Sequence, residues 1–160
     1  GVNAIGLVPS GMFGPGDKFD SEGAPFIAAL IKRFYDHRHD QTPLVVWGDG
    51  SPLREVTFSH DMARAFLWCV EHYDEPEILN VGTSEEHSIK DFAFMIADEL
   101  GINRQRIVFD TTKPNGITRK STDNATFLAR SQFHYTPFRE GLRHTIEWLK
   151  AQETTASVAH

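Results

Sequence analysis

Apolar residues recur along the chain with two different spacings, and each spacing predicts a different kind of element. A helical spacing predicts helices that begin near residues 25, 59, 88, 124 and 136. Short apolar runs bounded by glycine- and proline-rich turns predict strands at 4–9, 44–47, 55–58, 78–82 and 106–109. Because strands that alternate with helices are typical of α/β proteins, the pattern predicts one α/β unit with short, mixed strands.

Local signals set the limits of some of these helices. Ser88 and Asp91 have the spacing of a capping box at the start of the third helix, and Gly101 suits a left-handed residue at its end. Ser59 or Asp61 is expected to cap the second helix. Residues 151–160 have no apolar periodicity, so we expect a flexible tail there.

The composition is that of an ordinary acidic domain. The chain has 160 residues, 40% of them hydrophobic, and a formal net charge of −6. One hydrophobic core fits this length, and the negative charge gives no general attraction to nucleic acid. The sequence holds one cysteine, Cys69, and no apolar run of the roughly 20 residues that cross a bilayer. We therefore expect a cytoplasmic protein, with neither nucleic acid nor a membrane as partner.

The chain opens directly on apolar residues. The predicted strand at 4–9 has no polar residues leading into it, and the first residues lack the features of a signal peptide. This pattern favours a piece of a longer chain, and the alternative is an N-terminal strand in a self-contained sheet. In the first case a bare apolar strand favours self-association or pairing with a partner chain.

Several familiar kinds of site are missing from the sequence. No glycine-rich phosphate loop of the dinucleotide-binding or Walker type follows a strand. His37 and His39 have no third ligand at metal-binding spacing, which favours a solvated helix end and no metal site. Cys69 lies on an apolar helix face, where a small core residue is the favoured interpretation.

Basic and aromatic residues remain near strand ends, where α/β folds bind ligands. Trp47 ends a strand, Arg54 follows the next turn, and Lys113, Arg119 and Lys120 flank a Pro-Asn-Gly turn. A guanidinium can donate two parallel hydrogen bonds to a phosphate, and an indole can stack on a base or cover a sugar. In a chain of net negative charge, these cations indicate a local site for an anionic ligand. A purely structural role is the alternative for each residue alone.

Six segments carry a resemblance that covers nearly the whole chain in order. They are Pro9–Phe19, Val45–Glu55, Asp61–Ala63, Asn80–Thr83, Phe109–Lys120 and Thr136–Leu142. Together they resemble the C-terminal half of the extended short-chain dehydrogenase/reductases that act on nucleotide sugars. Trp-Gly-x-Gly and Lys-Pro-x-Gly-x-x-Arg-Lys favour, among these, the GDP-L-fucose synthases, which are NADP-dependent 3,5-epimerases and 4-reductases.

The resemblance implies an α/β substrate domain with about five helices that lacks most of the Rossmann sheet. The domain would span 1–150, and residues 1–13 and about 78–83 would join the Rossmann sheet. The implied ligand is a GDP-sugar. The residues implied to bind this substrate are Arg33, Trp47, Arg54 and Asn115.

Each of these residues has an implied role. Arg33 and Arg54 would contact the diphosphate or its neighbouring groups, and Trp47 would pack against the nucleotide. Asn115 falls where the family usually has an aspartate near the ligand. The residues implied to lie beside the nicotinamide ring of NADP are Pro9, Ser10, Gly11 and Met12.

The sequence also departs from the family. The family's glycine fingerprint, its Tyr-x-x-x-Lys pair and its catalytic cysteine belong to an N-terminal half without a counterpart here, so NADP would need that half. The family's catalytic histidine aligns with Pro25, which cannot donate a proton, and Ser21 or Glu22 is the candidate substitute. No catalytic residue is therefore assigned.

The leading hypothesis is a GDP-sugar-binding part of such an enzyme, inactive as an isolated chain. One alternative is the substrate domain of another nucleotide-sugar epimerase or reductase, and the other is a binding module without catalysis.

Overall fold

The computed structural model describes residues 4–19 and 23–158. Within these residues the chain forms eight strands, which are β1 (Leu7–Pro9), β2 (Gly11–Phe13), β3 (Leu44–Trp47), β4 (Leu53–Phe58), β5 (Leu79–Val81), β6 (Glu86–Ser88), β7 (Ile107–Asp110) and β8 (Arg119–Lys120). The described helices are α1 (Phe26–Asp36), α2 (Ser59–His72), α3 (Ile89–Glu99), α4 (Ala125–Ser131) and α5 (Phe138–Val158). The α/β class with about five helices is confirmed.

The strands form three small sheets. In the central sheet β4 pairs with β2 in parallel and with β6 in antiparallel orientation, and β8 pairs in parallel with the first residues of β4. β3 pairs with β7, and β1 pairs with β5, both in parallel. The predicted mixture of short strands is confirmed, and most neighbours are joined by crossovers, as parallel pairing requires.

Aromatic rings fill the main core, between the central sheet and helices α1, α3 and α5. Phe138, the first residue of α5, lies 4.9 Å from Phe13 of β2 and 4.7 Å from Phe92 of α3, measured between ring centroids. A second, smaller cluster lies where α2 and α4 cover β5, and Cys69 is completely buried in it, as predicted. Burial raises the pKa of the Cys69 thiol.

Polar contacts join the β1–β5 pair to the central sheet. The Ser10 N–H donates to the Val81 carbonyl at 2.9 Å, and the hydroxyl oxygens of Ser10 and Thr57 lie 2.7 Å apart. The Thr83 N–H donates to the same Thr57 hydroxyl at 3.1 Å. Ser10, one of the residues that the resemblance implies beside the cofactor, is therefore held from both sheets.

The structure corrects three expectations about local elements. Gly11–Phe13, expected to be loop, forms β2 and pairs with β4. Neither Ser59 nor Asp61 caps α2, whose N-cap is Phe58. Asp61 is buried instead, and its carboxylate accepts the Thr136 N–H at 2.5 Å.

The C-terminal segment is the third correction. Helix α5 continues to Val158, so the irregular tail expected from residue 151 is helical up to that point. The helix is fastened there, because the Glu153 carboxylate accepts the Tyr35 hydroxyl at 2.8 Å and the Arg38 guanidinium at 2.8 Å. Desolvation and the Glu153 contact raise the pKa of Tyr35 to about 12.

One face of the β1–β5 pair carries exposed apolar side chains. Val8 is 45% exposed and Ile78, which precedes β5, is 69% exposed. The opposite face is covered by α2 and α4. The predicted joining of these strands to a Rossmann sheet stays a prediction. None of the described helices has the length and hydropathy of a membrane span.

Candidate functional site

Two cavities border each other at Phe26, the first residue of α1. The first, here called the Trp47 cavity, has a volume of about 660 Å³, and its lining includes Arg33, Trp47, Pro114 and Asn115. The second, the Arg54 cavity, has a volume of about 550 Å³. Its lining includes Pro9, Ser10, Gly11, Met12, Pro25, Arg54, Glu55, Lys120, Ser121 and Thr122.

The structure thus divides the residues that the resemblance implied. Three of the four implied substrate residues share the Trp47 cavity, while Arg54 lies in the Arg54 cavity with the four implied cofactor residues. The two sets are neighbours, because Phe26 lines both cavities.

Trp47 supplies a largely exposed indole at the end of β3. The residue is 62% exposed, and the Lys113 ammonium lies 5.7 Å from its ring centroid. An indole left this open to water offers a large apolar surface for stacking, and a neighbouring cation favours an anionic partner. The Trp47 wall of the cavity therefore suits an aromatic base.

Asn115 fixes the turn that follows Trp47. Gly48 has a φ of +79°, and a Cβ placed there would lie 2.2 Å from the Asn115 Oδ1. That oxygen accepts the Asp49 N–H at 2.8 Å, and Asp49 Oδ1 accepts the Ser51 N–H at 2.8 Å. Hydrogen bonds from Ser51, and a further one from Asn115, lower the pKa of Asp49. The side chains of Asn115 and Asp49 therefore both stabilise this turn.

Arg33 reaches the Trp47 cavity from the exposed side of α1. Its guanidinium donates from Nη1 to the Val45 carbonyl at 2.5 Å, which orients it along β3. Across residues 4–19 and 23–158, no carboxylate lies within ion-pair distance of this guanidinium. Its charge is therefore available to a ligand.

Arg54 and Lys120 stand opposite each other on the paired strands β4 and β8. The Arg54 guanidinium donates to the carbonyls of Leu53 and Ile117, both at 2.7 Å. In the described part of the chain neither cation forms an ion pair with a carboxylate, whereas the neighbouring Arg119 binds Glu86 at 2.6 Å. Like charges at paired strand positions repel each other, and both cations line the same cavity, which therefore favours an anionic group.

Lys113, Arg119 and Lys120 flank one turn in the sequence, and the structure separates them. Lys113 lies at Trp47, Arg119 is paired with Glu86, and Lys120 lines the Arg54 cavity. The three cations are close together in the sequence, but among them only Lys120 lines the Arg54 cavity.

Glu55 was not identified from the sequence. The residue is 4% exposed, and its carboxylate accepts the Thr122 N–H at 2.6 Å and the Ser84 N–H at 3.1 Å. The signal that could have revealed it is a carboxylate inside a predicted apolar strand, directly after Arg54. Its partners lie about thirty and seventy residues away in the chain, so their identity could not be read locally.

Pro25 precedes α1 and lines the Arg54 cavity without an ionisable group. The candidate substitutes Ser21 and Glu22 lie outside the described residues. Among the residues that are described, no group of three histidine, cysteine or acidic side chains could hold a metal. His37 instead bonds Asp40 at 2.8 Å, on an exposed surface.

The sequence of this chain is similar to those of GDP-L-fucose synthases. It is 35% identical over 149 residues to the probable GDP-L-fucose synthase 1 of Oryza sativa subsp. japonica, covering 92% of this chain and 45% of that protein. It is 32% identical over 152 residues to the Escherichia coli K12 GDP-L-fucose synthase, covering 89% and 47%. The chain therefore spans about half the length of the curated relatives it matches.

The fold of this chain is likewise similar to that of a GDP-L-fucose synthetase. A crystal structure of a GDP-L-fucose synthetase from Naegleria fowleri bound to NADP matches with a TM-score of 0.87 and 34% identity, over 94% of this chain and 48% of that one. The UDP-glucose 4-epimerase of Thermotoga maritima matches with a TM-score of 0.78 at 19% identity, over 92% and 46%, which shows a shared fold.

Residues 1–82 match the NAD dependent epimerase/dehydratase family over just more than half of the chain. This segment contains β1, β2 and β4, and with them the residues that line the Arg54 cavity from Val8 to Met12 and from Arg54 to Val56. The resemblance drawn from the motifs is confirmed, and the chain belongs to the NAD dependent epimerase/dehydratase family.

Proposed function

We propose that this chain binds a GDP-sugar as part of a GDP-L-fucose-synthase-like, NADP-dependent 3,5-epimerase and 4-reductase. The observation that carries the proposal is that an open indole beside one guanidinium, Arg33, adjoins a pair of unneutralised cations, Arg54 and Lys120. Trp47 and Arg33 line one cavity, and Arg54 and Lys120 line the next. A ligand with an aromatic base at one end and a diphosphate in the middle matches this order of groups.

The geometry supports separate positions for the base, the diphosphate and the sugar of the ligand. The base stacks on Trp47, and the diphosphate lies between Arg33 and the Arg54–Lys120 pair, where guanidinium groups donate charge-assisted hydrogen bonds. The sugar then extends along Met12 on the far side of the Arg54 cavity. By holding the sugar at a fixed place, the chain contributes orientation to the reaction.

NADP would share one wall of the Arg54 cavity. Ser10 and Gly11 fit a close approach by a flat ring, since β2 presents backbone there and Met12 is exposed. When bound, NADP would supply the hydride for reduction of a keto carbon. The proton relay has to come from elsewhere, because none of the three tyrosines in the sequence has a lysine four residues later. We expect no turnover by the isolated chain.

The exposed apolar face of the β1–β5 pair supports a partner for this chain. Val8 and Ile78 on that face would be covered by a dinucleotide-binding partner chain or by a second copy. Sedimentation velocity across a concentration series should reveal association. A strictly monomeric species at high concentration would contradict this part of the proposal.

The direct test is calorimetric titration of the chain with GDP, guanosine and UDP. We expect GDP to bind more tightly than guanosine, because the diphosphate adds contacts with Arg33, Arg54 and Lys120. We also expect GDP to bind more tightly than UDP. Binding of none of the three would contradict the proposal.

Pro25 favours a second candidate, a reductase or epimerase that acts on another nucleotide sugar. It leaves the Arg54 cavity without a proton donor at the position where the family has histidine. Preferential binding of UDP or dTDP over GDP in the same titration would decide for this candidate.

A further inference from the structure

Glu55 is a buried carboxylate that connects two loops at the edge of the Arg54 cavity. Its Oε2 accepts the Thr122 N–H at 2.6 Å and its Oε1 accepts the Ser84 N–H at 3.1 Å. Within the described chain no basic side chain forms an ion pair with it, so backbone N–H groups balance its charge. Both oxygens are engaged with the protein rather than with the cavity.

The surroundings of Glu55 allow little movement. A Cβ at Gly82 would lie 2.2 Å from the Glu55 Oε1, so the backbone passes directly against the carboxylate. Ser84 has a φ of +59°, an unfavourable conformation for a residue other than glycine, and its hydroxyl donates to Asn124 at 2.5 Å. The carboxylate and Asn124 together hold this strained residue in place.

The bond to Thr122 bears directly on the two cations of the cavity. Thr122 follows Lys120 by two residues, and Arg54 precedes Glu55 on β4. Arg54 and Lys120 occupy paired positions of β4 and β8, where like charges weaken strand pairing. The Arg54 guanidinium holds the chain ahead of β8 at the Ile117 carbonyl, and the Glu55–Thr122 hydrogen bond holds it just beyond the end of β8.

We propose that Glu55 is a positioning residue that holds Lys120 at the separation from Arg54 at which both cations bind one phosphate group of the ligand. The proposal rests on the proposed function, since it concerns the same diphosphate. Glu55 acts through the backbone at Thr122, and its own oxygens remain on the two N–H groups.

Glu55→Gln tests the positioning with minimal change of shape. The amide keeps one acceptor oxygen, but its NH₂ group faces a backbone N–H and cannot accept from it. One of the two loops is therefore released. We expect the affinity for GDP to fall about tenfold, a loss typical of one hydrogen bond to a charged group, while the affinity for guanosine stays unchanged.

A double-mutant cycle with Lys120→Ala shows whether Glu55 acts through Lys120. In the wild-type background, Lys120→Ala should weaken GDP binding by about tenfold. In the Glu55→Gln background it should change GDP binding by less than about twofold, because the ammonium is already misplaced. Independent, additive losses would overturn the proposal.

Thr145→Val is the matched control, since it removes a buried hydrogen bond, from Thr145 Oγ1 to the Gly141 carbonyl at 2.7 Å, on α5. It should lower thermal stability without changing GDP affinity. If Glu55→Gln fails to fold, Glu55→Asp replaces it, because the shorter side chain keeps its charge but cannot reach both N–H groups.

The outcomes separate the two proposals. A Glu55 variant that binds GDP as tightly as wild type, or that loses guanosine and GDP equally, overturns the positioning role and leaves the proposed function standing. A wild-type chain that binds GDP no more tightly than guanosine contradicts the proposed function itself, and the positioning role with it.

Discussion

The two cavities sit side by side but are built from different chemistry. The Trp47 cavity offers an exposed indole and apolar side chains around the single guanidinium of Arg33. The Arg54 cavity offers backbone, hydroxyl groups and two cations on facing strands. One cavity suits a flat, weakly polar group and the other suits an anion.

Because of this difference, the contribution of base stacking to affinity can be measured separately from that of the phosphate charge. Stacking on an indole contributes in the same way to a nucleoside and to its diphosphate, whereas the paired cations contribute only when phosphate is present. Guanosine and GDP are therefore matched probes of the two cavities. Each variant below should act on one probe or on both, according to which cavity it alters.

The largest effect is expected from Arg54→Ala. Loss of charge-assisted hydrogen bonds should weaken GDP binding by roughly 10- to 100-fold and leave guanosine binding unchanged. Calorimetry with both ligands measures the difference. Arg119→Ala is the control, because Arg119 is adjacent in sequence to Lys120 but paired with Glu86. Equal losses of GDP affinity in Arg54→Ala and Arg119→Ala would contradict the assignment of the phosphate contacts to the Arg54 cavity.

Trp47→Ala should produce a smaller effect, and on both ligands. Base stacking on an aromatic side chain is worth about 1–3 kcal/mol, so we expect guanosine and GDP each to bind about tenfold more weakly. Val108→Ala serves as the control, since Val108 is an exposed apolar residue of β7, the strand paired with β3. A loss confined to GDP would place the base outside the Trp47 cavity.

Gly48→Ala and Gly16→Ala compare two glycines with nearly equal φ values, +79° and +81°. Both substitutions strain the backbone by about 1 kcal/mol. The first also drives a methyl group into Asn115, whereas nothing lies within 4 Å of a Cβ at Gly16. We expect Gly48→Ala to unfold at lower urea concentration than Gly16→Ala, and to weaken guanosine binding severalfold. Equal behaviour would mean that Asn115 moves aside freely.

The smallest effect is expected from pH. Hydrogen bonds from Ser51 and Asn115 lower the pKa of Asp49 below its ordinary value of 3.8, so the carboxylate stabilises the turn above that value. This contribution is lost as the pH falls through the lowered pKa. Guanosine affinity, measured by calorimetry, should therefore stay constant from pH 7 down to about 3.8. A midpoint above that pH would show that Asp49 does not hold the turn in its charged form.

The ends of a helix could be predicted where capping residues mark them in the sequence. Ser88 and Asp91 form the capping box at α3, and Gly101 follows that helix with a φ of +68°. Strands β2, β6 and β8 were missed, because β6 and β8 consist of polar residues and glycines enclose the two apolar residues of β2. Such strands are defined by pairing with β4 rather than by any local pattern.

The candidate site was predictable only in part. Motif resemblance pointed to Arg33, Trp47, Arg54 and Asn115, and the structure places all four on the two cavities. It could not indicate that Asn115 binds the turn after Trp47, or that Glu55 holds the loop at Thr122. Those contacts join distant parts of the chain, so they exist only after folding.

The far end of α5 has a consequence for anyone who shortens or extends this chain. Glu153 fastens Tyr35 at the end of α1, and the other end of α1, at Phe26, separates the two cavities. A truncation at residue 150 removes no residue that lines either cavity, yet it removes the Glu153 contacts with the end of α1. The last turns of α5 thus stabilise a helix that borders both cavities, and a fusion partner is better joined after α5 than within it.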